Sequence, residues 1–438
     1  MKKTIVYRYL ALLFFIITSG ITLIISTSLV NLIISFLILT FGAFIIVKFN
    51  ISHPYVWYTA FFTMYTLGYP LLVLMNENNS NYNYGISKEL FYLHWLALVS
   101  FLLVVTPKVV DIKKIRNKLS DNTFAFSEYV YWLFTILSFI FLILIKTQGY
   151  TSKIQLAESD SLIVILGMRM LLVYILVVAV QLTKDIIGNK KSIYVHFFTT
   201  FVITFVVMYF TAERDVLLRY ILVVFFIYYA LLYKNTHRFK LIITILTLFI
   251  SIPLSRSIKF LGMRGETSTF ESNILVEFIN SEFHTQARNV QLLLNQKNVE
   301  GIFEGKSFIL AINKLMGLSD FSALNWFQNT FYATNRTGMG FSLLGEGYIN
   351  LGYIGVIMMF MLIGLIIRLS YLSSIKSMYG FVIYLMLIPI AIYTIRADLH
   401  NFLSQFLKQV LIMVLIFRVV DTSLSKRTKK KRMGKSEI

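Results

Sequence analysis

Apolar runs near 20 residues long recur along this chain, separated by short polar segments. A helix of ~20 residues rises 1.5 Å per residue and so covers the ~30 Å hydrocarbon core of a bilayer. The pattern predicts twelve spans, at roughly 9–27, 29–47, 53–75, 88–106, 128–146, 161–182, 193–211, 216–232, 239–258, 350–370, 379–396 and 400–419. The expected fold class is therefore an all-α integral membrane protein of about 12 transmembrane helices. The opening MKKTIVYRYL leads into an apolar run with no small-residue cleavage signal, and a second run follows at once. It reads as an uncleaved first span.

The pattern breaks once. Residues 259–339 form a long stretch of mixed polarity with helical periodicity in places. In ESNILVEFINSEF the apolar positions Ile274, Leu275, Phe278, Ile279 and Phe283 recur at steps of three and four. A second such piece, FSALNWFQNTFY, runs from Phe321 to Tyr332. Two to four short helices lying on the outer face are expected. A loop this long is uncommon unless functional or disordered, and the amphipathic pattern favours function. The chain thus divides into spans over 1–258, one large extracytoplasmic loop over 259–339, spans again over 340–420, and a basic cytoplasmic tail over 421–438.

Charge orients the arrangement. A net charge of +20 would suggest nucleic acid in a soluble protein, but 57% of the residues are hydrophobic and the basic residues are sided. With the N-terminus in the cytoplasm, the inner segments hold 25 of the 41 Lys and Arg and only five of the 21 Asp and Glu. The opposite orientation would put KKIRNK and KRTKKKR outside, against the positive-inside rule. Both termini are expected in the cytoplasm, the tail anchoring topology near anionic lipid. Membrane lipids, and not nucleic acid, are the expected surroundings. With no cysteine, disulfides, thiolate metal sites and cysteine nucleophiles are excluded.

Charged residues beside apolar runs need a reason, because each is costly at mid-membrane unless paired or hydrated. Span seven ends in TAERD, placing Glu213, Arg214 and Asp215 at the outer surface, and Arg219 lies one turn into span eight. Arg256 and Arg264 border the long loop on its entry side, Arg336 and Glu346 border its exit, and Arg396, Asp398 and His400 occupy the last outer connection. All lie at one face and can converge. An arginine at a helix end often only snorkels to headgroups. A cluster of them points to an anionic ligand, since the guanidinium binds phosphate oxygens bidentately and keeps its charge; a pyrophosphate leaving group suits it. Arg396, His400, Ser404 and Lys408, spaced by four, are expected on one helix face, either satisfied by neighbouring helices or lining a cavity open to the outside.

RTGMGFSLLGEGYINLGYIG, from Arg336 to Gly355, carries six glycines around one carboxylate, Glu346. Each glycine within a helix costs about 1 kcal/mol relative to alanine, so the backbone there should turn tightly or approach something closely. We expect the floor of an active site, its glycines leaving room for a sugar or a re-entering backbone. Motifs for nucleotide phosphate or zinc are absent: no GxxxxGK[ST], no HExxH and no DxD. The first outer loop, near Ser28, is too short for a metal-binding acid pair, so no metal and no cofactor is expected. Inverted repeats of the transporter kind are not evident.

The layout of spans, the large outer loop with arginines on both sides, and GMGFSLLGEGYINLGYIGV together resemble the Wzy-type polysaccharide polymerases, which join O-antigen or capsule repeat units. Glu346, Tyr348 and Asn350 carry the most specific part of the likeness, and the ERD turn with Arg214 a weaker part. The resemblance implies a multi-pass protein of the bacterial cytoplasmic membrane acting as a glycosyltransferase. A glycan on undecaprenyl pyrophosphate would pass to a hydroxyl of the next lipid-linked oligosaccharide. Arg214, Arg219, Arg256, Arg264, Arg336 and Arg396 would hold pyrophosphate, and Glu346 or His400 would take the acceptor proton. Whether a chain-length regulator is a partner stays open. O-antigen ligases share the layout, with His284 and Arg288 in FHTQARN a candidate counterpart, and a lipid-linked oligosaccharide flippase is the third reading.

Overall fold

The structure is a computed structural model that describes residues 2–75, 85–118, 123–148, 162–211, 214–232, 274–296, 299–332 and 340–433. Among these no strand occurs. In chain order the first helices are α1 Lys2–Ile25, α2 Leu29–Ile46, α3 Pro54–Leu74 and α4 Lys88–Val104. A 3-10 turn, Ile112–Lys118, precedes α5 Ser127–Thr147, α6 Leu162–Ile187, α7 Ile193–Thr211 and α8 Arg214–Ile227, the last continued by a π turn to Leu232. After the undescribed stretch come α9 Ile274–Phe278, a π turn Ile279–Phe283, α10 His284–Leu294, α11 Lys306–Leu315 and α12 Ala323–Phe331. The chain ends with α13 Leu343–Ser373, α14 Met378–Thr394, α15 Leu399–Leu403, a π stretch Ser404–Leu411 and α16 Ile412–Met433.

Eight of these helices, counting π continuations, are long and apolar enough to cross a membrane. Every expected span falls on a helix except 239–258, which lies outside the described residues. Helix α3 is less apolar because it is enclosed by protein. Its Tyr55, Tyr58 and Tyr69 are almost fully buried, and the Tyr55 hydroxyl donates to the carbonyls of Leu102 at 2.7 Å or Val105 at 2.9 Å. A helix surrounded by other helices needs partners for its polar groups, not an apolar surface facing lipid.

The contacts divide the chain into two compact units. One comprises Met1–Val110, Phe270–Tyr371 and Ile390–Ser404; the other comprises Asp111–Thr269, Leu372–Pro389 and Gln405–Ile438. The second unit has a polar core of its own. The His196 ring meets the Asp185 carboxylate at 2.5 Å, Gln181 donates to Asp185 at 3.0 Å, and Ser127 donates to Gln181 at 2.7 Å. Buried charge and amide groups there satisfy one another, as a low-dielectric interior requires.

In the first unit the loop helices do not all lie on the outer face as expected. Helix α10 is buried between α3 and α4, with Gln286, Arg288, Asn289 and Gln291 all inside. Gly68 of α3 makes this possible: a Cβ there would run into the Phe283 carbonyl, so only glycine lets the backbones approach. The Gln286 amide meets His94 of α4 at 3.1 Å, six residues or ~9 Å along that helix from its start. Gln291 holds that start itself, accepting from the Ser87 amide at 2.9 Å and hydroxyl at 3.0 Å. Helix α10 is thus a polar wedge set between α3 and α4.

The glycine-rich stretch turns sharply and approaches itself closely, as its glycine density leads one to expect. Leu343–Asn350 is helical and wholly buried, and α13 kinks at Leu351 (φ −139°) and Gly352 (φ +59°) before running on as a span. Positive φ at Gly352 is strain-free only without a side chain. Across the kink, Gly355 abuts the Gly347 carbonyl, and a Cβ on Gly347 would stand 2.9 Å from the Val356 backbone. These glycines let the chain pack against itself; the space is filled by backbone and leaves no room for a sugar.

Candidate active site

The site is built around the start of α15. Asp398, fully buried, is its N-cap: its carboxylate accepts from the Asn401 amide N–H at 3.0 Å and the Asn401 side chain at 2.6 Å. The other oxygen accepts from the Ser322 hydroxyl at 2.9 Å and the Leu324 amide at 3.3 Å, at the start of α12. One carboxylate therefore satisfies orphan donors of two helix N-termini, where negative charge is favoured by the helix dipoles.

The next free amide of α15, Leu399 N–H, donates to Glu346 Oε2 at 2.6 Å. Glu346 Oε1 receives the Ser307 hydroxyl at 3.3 Å. One helical turn further on, Asn350 closes the arrangement. Its Oδ1 accepts from the Ser307 amide at 3.2 Å, and its Nδ2 donates to the Ser307 hydroxyl at 2.6 Å and to the Glu346 carbonyl at 2.7 Å. Glu346 and Asn350 are 1% and 0% exposed, so both are wholly committed to the protein. Helices α11, α13 and α15 are joined at this point through buried hydrogen bonds. His400, half-buried beside Leu399, contacts the Ala311 carbonyl of α11 through Nδ1 at 3.3 Å.

Arg396 lies in the turn before the cap. Its guanidinium pairs with Glu282 at 2.5 Å and stands over the Tyr393 ring, 5.3 Å from its centroid. The Arg396 carbonyl is packed against Gly340, where a Cβ would come within 2.6 Å of it. Asn289 of α10 donates to the Gly340 carbonyl and accepts from the Tyr332 hydroxyl at 2.7 Å. The two ends of the stretch containing Arg336 are therefore held by a single amide side chain.

Of the residues expected from sequence, the structure brings together Glu346, Arg396 and His400 in the first unit. Arg214 and Arg219 belong to the second unit, at the start of α8, where Arg219 is buried and paired with Asp215 at 2.6 Å. Arg256, Arg264 and Arg336 lie outside the described residues. The expected stripe of Arg396, His400, Ser404 and Lys408 is not one helix face. The helix begins only at Leu399, and Ser404–Leu411 is π-helical, so a spacing of four falls short of a full turn and Lys408 is exposed. Sequence reasoning missed Glu282, Ser307 and Asn289 as members of the site, and it left Asp398 without a role. An Asp directly before an amphipathic helix with Asn three residues on is an N-cap signature that would have found Asp398. Among the described residues, no three His, Asp or Glu side chains converge in a way that could hold a metal ion.

An all-helical chain with eight candidate spans and a buried polar centre where three helices meet is a multi-pass membrane protein. Residues 5–427 match O-antigen polysaccharide polymerase Wzy, and the chain belongs to that family. Neither the curated proteins nor the solved structures yield a match.

Proposed function

We propose that this polymerase lengthens a surface polysaccharide at the outer face of the bacterial cytoplasmic membrane, using repeat units carried on undecaprenyl pyrophosphate. The family match across nearly the whole chain carries this reading. The bond broken is that between the reducing-end sugar carbon and its phosphate oxygen, and the bond formed joins that carbon to an acceptor hydroxyl oxygen. The electron pair leaves with the lipid pyrophosphate, whose growing charge is met by the arginines of the first unit, Arg336 and Arg396. The hydroxyl proton passes to His400, the half-buried titratable group of the site. Glu346, buried and bound to Leu399 and Ser307, serves as the positioning residue that fixes His400 against α11. No metal and no cofactor takes part.

Deletion of the gene followed by gel analysis of surface glycan tests the reading. Loss of the polymer ladder with single repeat units retained is the expected result. Complete loss of units from the surface points to a flippase. Unattached polymer accumulating on the lipid carrier points to a ligase.

A further inference from the structure

Helix α11 is amphipathic in the reverse of the usual sense. Ser307 and Ala311, small residues four apart, are buried toward Glu346 and His400. On the opposite side Ile309, Ile312 and Met316, at helical spacing, are 61%, 49% and 61% exposed. Ile302 and Leu318, just before and after the helix in the chain, are exposed as well. A continuous apolar surface of this kind is uncommon against water and marks a partner surface.

We infer that the exposed face of α11 is seated in the outer leaflet of the lipid bilayer, holding the Glu346–His400 centre at the membrane surface. The chain leading into α11 is fastened to the kink of α13: Gly301 N–H donates to the Tyr348 carbonyl at 3.1 Å and Phe303 N–H to the Ile349 carbonyl at 2.9 Å. From that kink onward α13 shows its own exposed apolar residues, Leu351, Ile354 and Met358, on a helix apolar enough to cross the membrane. The exposed face of α11 therefore starts where a lipid-facing surface starts. At 10 residues, or ~15 Å, α11 is half the length needed to span, so it lies along the interface. Glu304, Lys306, Lys314 and Asp320 at its ends supply the polar rim that headgroups would meet. The placement stands whether or not the polymerase reading does. If that reading holds, the centre sits at the depth of a lipid-borne pyrophosphate.

The cysteine-free chain permits a direct test. Full-length Ile312→Cys, labelled with an environment-sensitive fluorophore, is reconstituted in phosphatidylethanolamine and phosphatidylglycerol vesicles. Asn329→Cys, at an exposed position of α12, is the reference. The Ile312 probe is expected to be quenched several-fold more by lipids bearing a nitroxide high on the acyl chain than by aqueous iodide, with the reverse at Asn329. Iodide quenching at Ile312 equal to that at Asn329 would overturn the inference. Protection from both quenchers would overturn it too, showing that a second copy or another protein covers the face. Neither readout depends on glycan synthesis.

Discussion

Replacing Glu346 by glutamine or by alanine separates positioning from proton transfer. The carboxylate is 1% exposed and accepts two hydrogen bonds, from Leu399 N–H at 2.6 Å and the Ser307 hydroxyl at 3.3 Å. Glutamine keeps the shape. Its carbonyl can accept from Leu399, and its amide can donate to the Ser307 oxygen, which has two lone pairs. The exchange rearranges one or two neutral hydrogen bonds and should cost about 1 kcal/mol or less. Alanine leaves the buried Leu399 N–H unsatisfied and removes the partner of Ser307. At roughly 1–3 kcal/mol for each of the two groups, that is about 2–6 kcal/mol, enough to loosen α15 from α13. In a deletion strain carrying tagged variants, Glu346→Gln should keep both membrane abundance and the glycan ladder. Glu346→Ala should lose both. His400→Ala, at a half-buried position, should keep abundance and lose the ladder. If Glu346→Gln accumulates normally yet yields only single repeat units, the carboxylate itself takes part in the chemistry and the positioning role is wrong.

Arg396→Ala removes the ion-pair contact to the Glu282 carboxylate, which is only 8% exposed, and should cost near or below the low end of the roughly 3–5 kcal/mol seen for broken buried pairs. The double variant with Glu282→Ala should regain abundance but not the ladder, because the pyrophosphate contact stays absent; a regained ladder would make Arg396 purely structural. Gly355→Ala puts a methyl group into the Gly347 carbonyl across the kink and should reduce membrane abundance several-fold, whereas Gly305→Ala, where a Cβ meets nothing but φ is +83°, should lose only about 1 kcal/mol.

Much of the fold was legible because membrane spans announce themselves. A helix facing lipid must be apolar over ~20 residues whatever its neighbours, so α1, α2, α5 and α7 could be read from composition alone. Helix α10 could not. Its polar residues, HTQARN, look like solvent-exposed loop, and only the close approach at Gly68 and the waiting His94 turn them into an interior wedge. The decisive information sits on α3 and α4, far away in sequence. The kink in α13 was hidden for a similar reason. A run of glycines signals that backbone comes close to something, and here the something is the same run eight residues later.

The site shows where residue counting stops being informative. Glu346, His400 and Arg396 were found from the sidedness of charge, a membrane-wide property that requires no geometry. Their roles require it. Glu346 looked like a base because it was the lone acid among glycines, yet its oxygens are taken up by Leu399 and Ser307 and no solvent reaches them. An acid in a membrane protein can be conspicuous for two opposite reasons: it meets substrate, or it holds together helices that have no other polar contact. Burial and partner count bear on the two, and the bonds of Glu346 to Leu399 and Ser307 are what support the proposed positioning role. His400, one residue beyond the amide that Glu346 holds, is half-buried. Any change that frees Leu399 N–H should therefore be felt at His400 before it is felt anywhere else in the site.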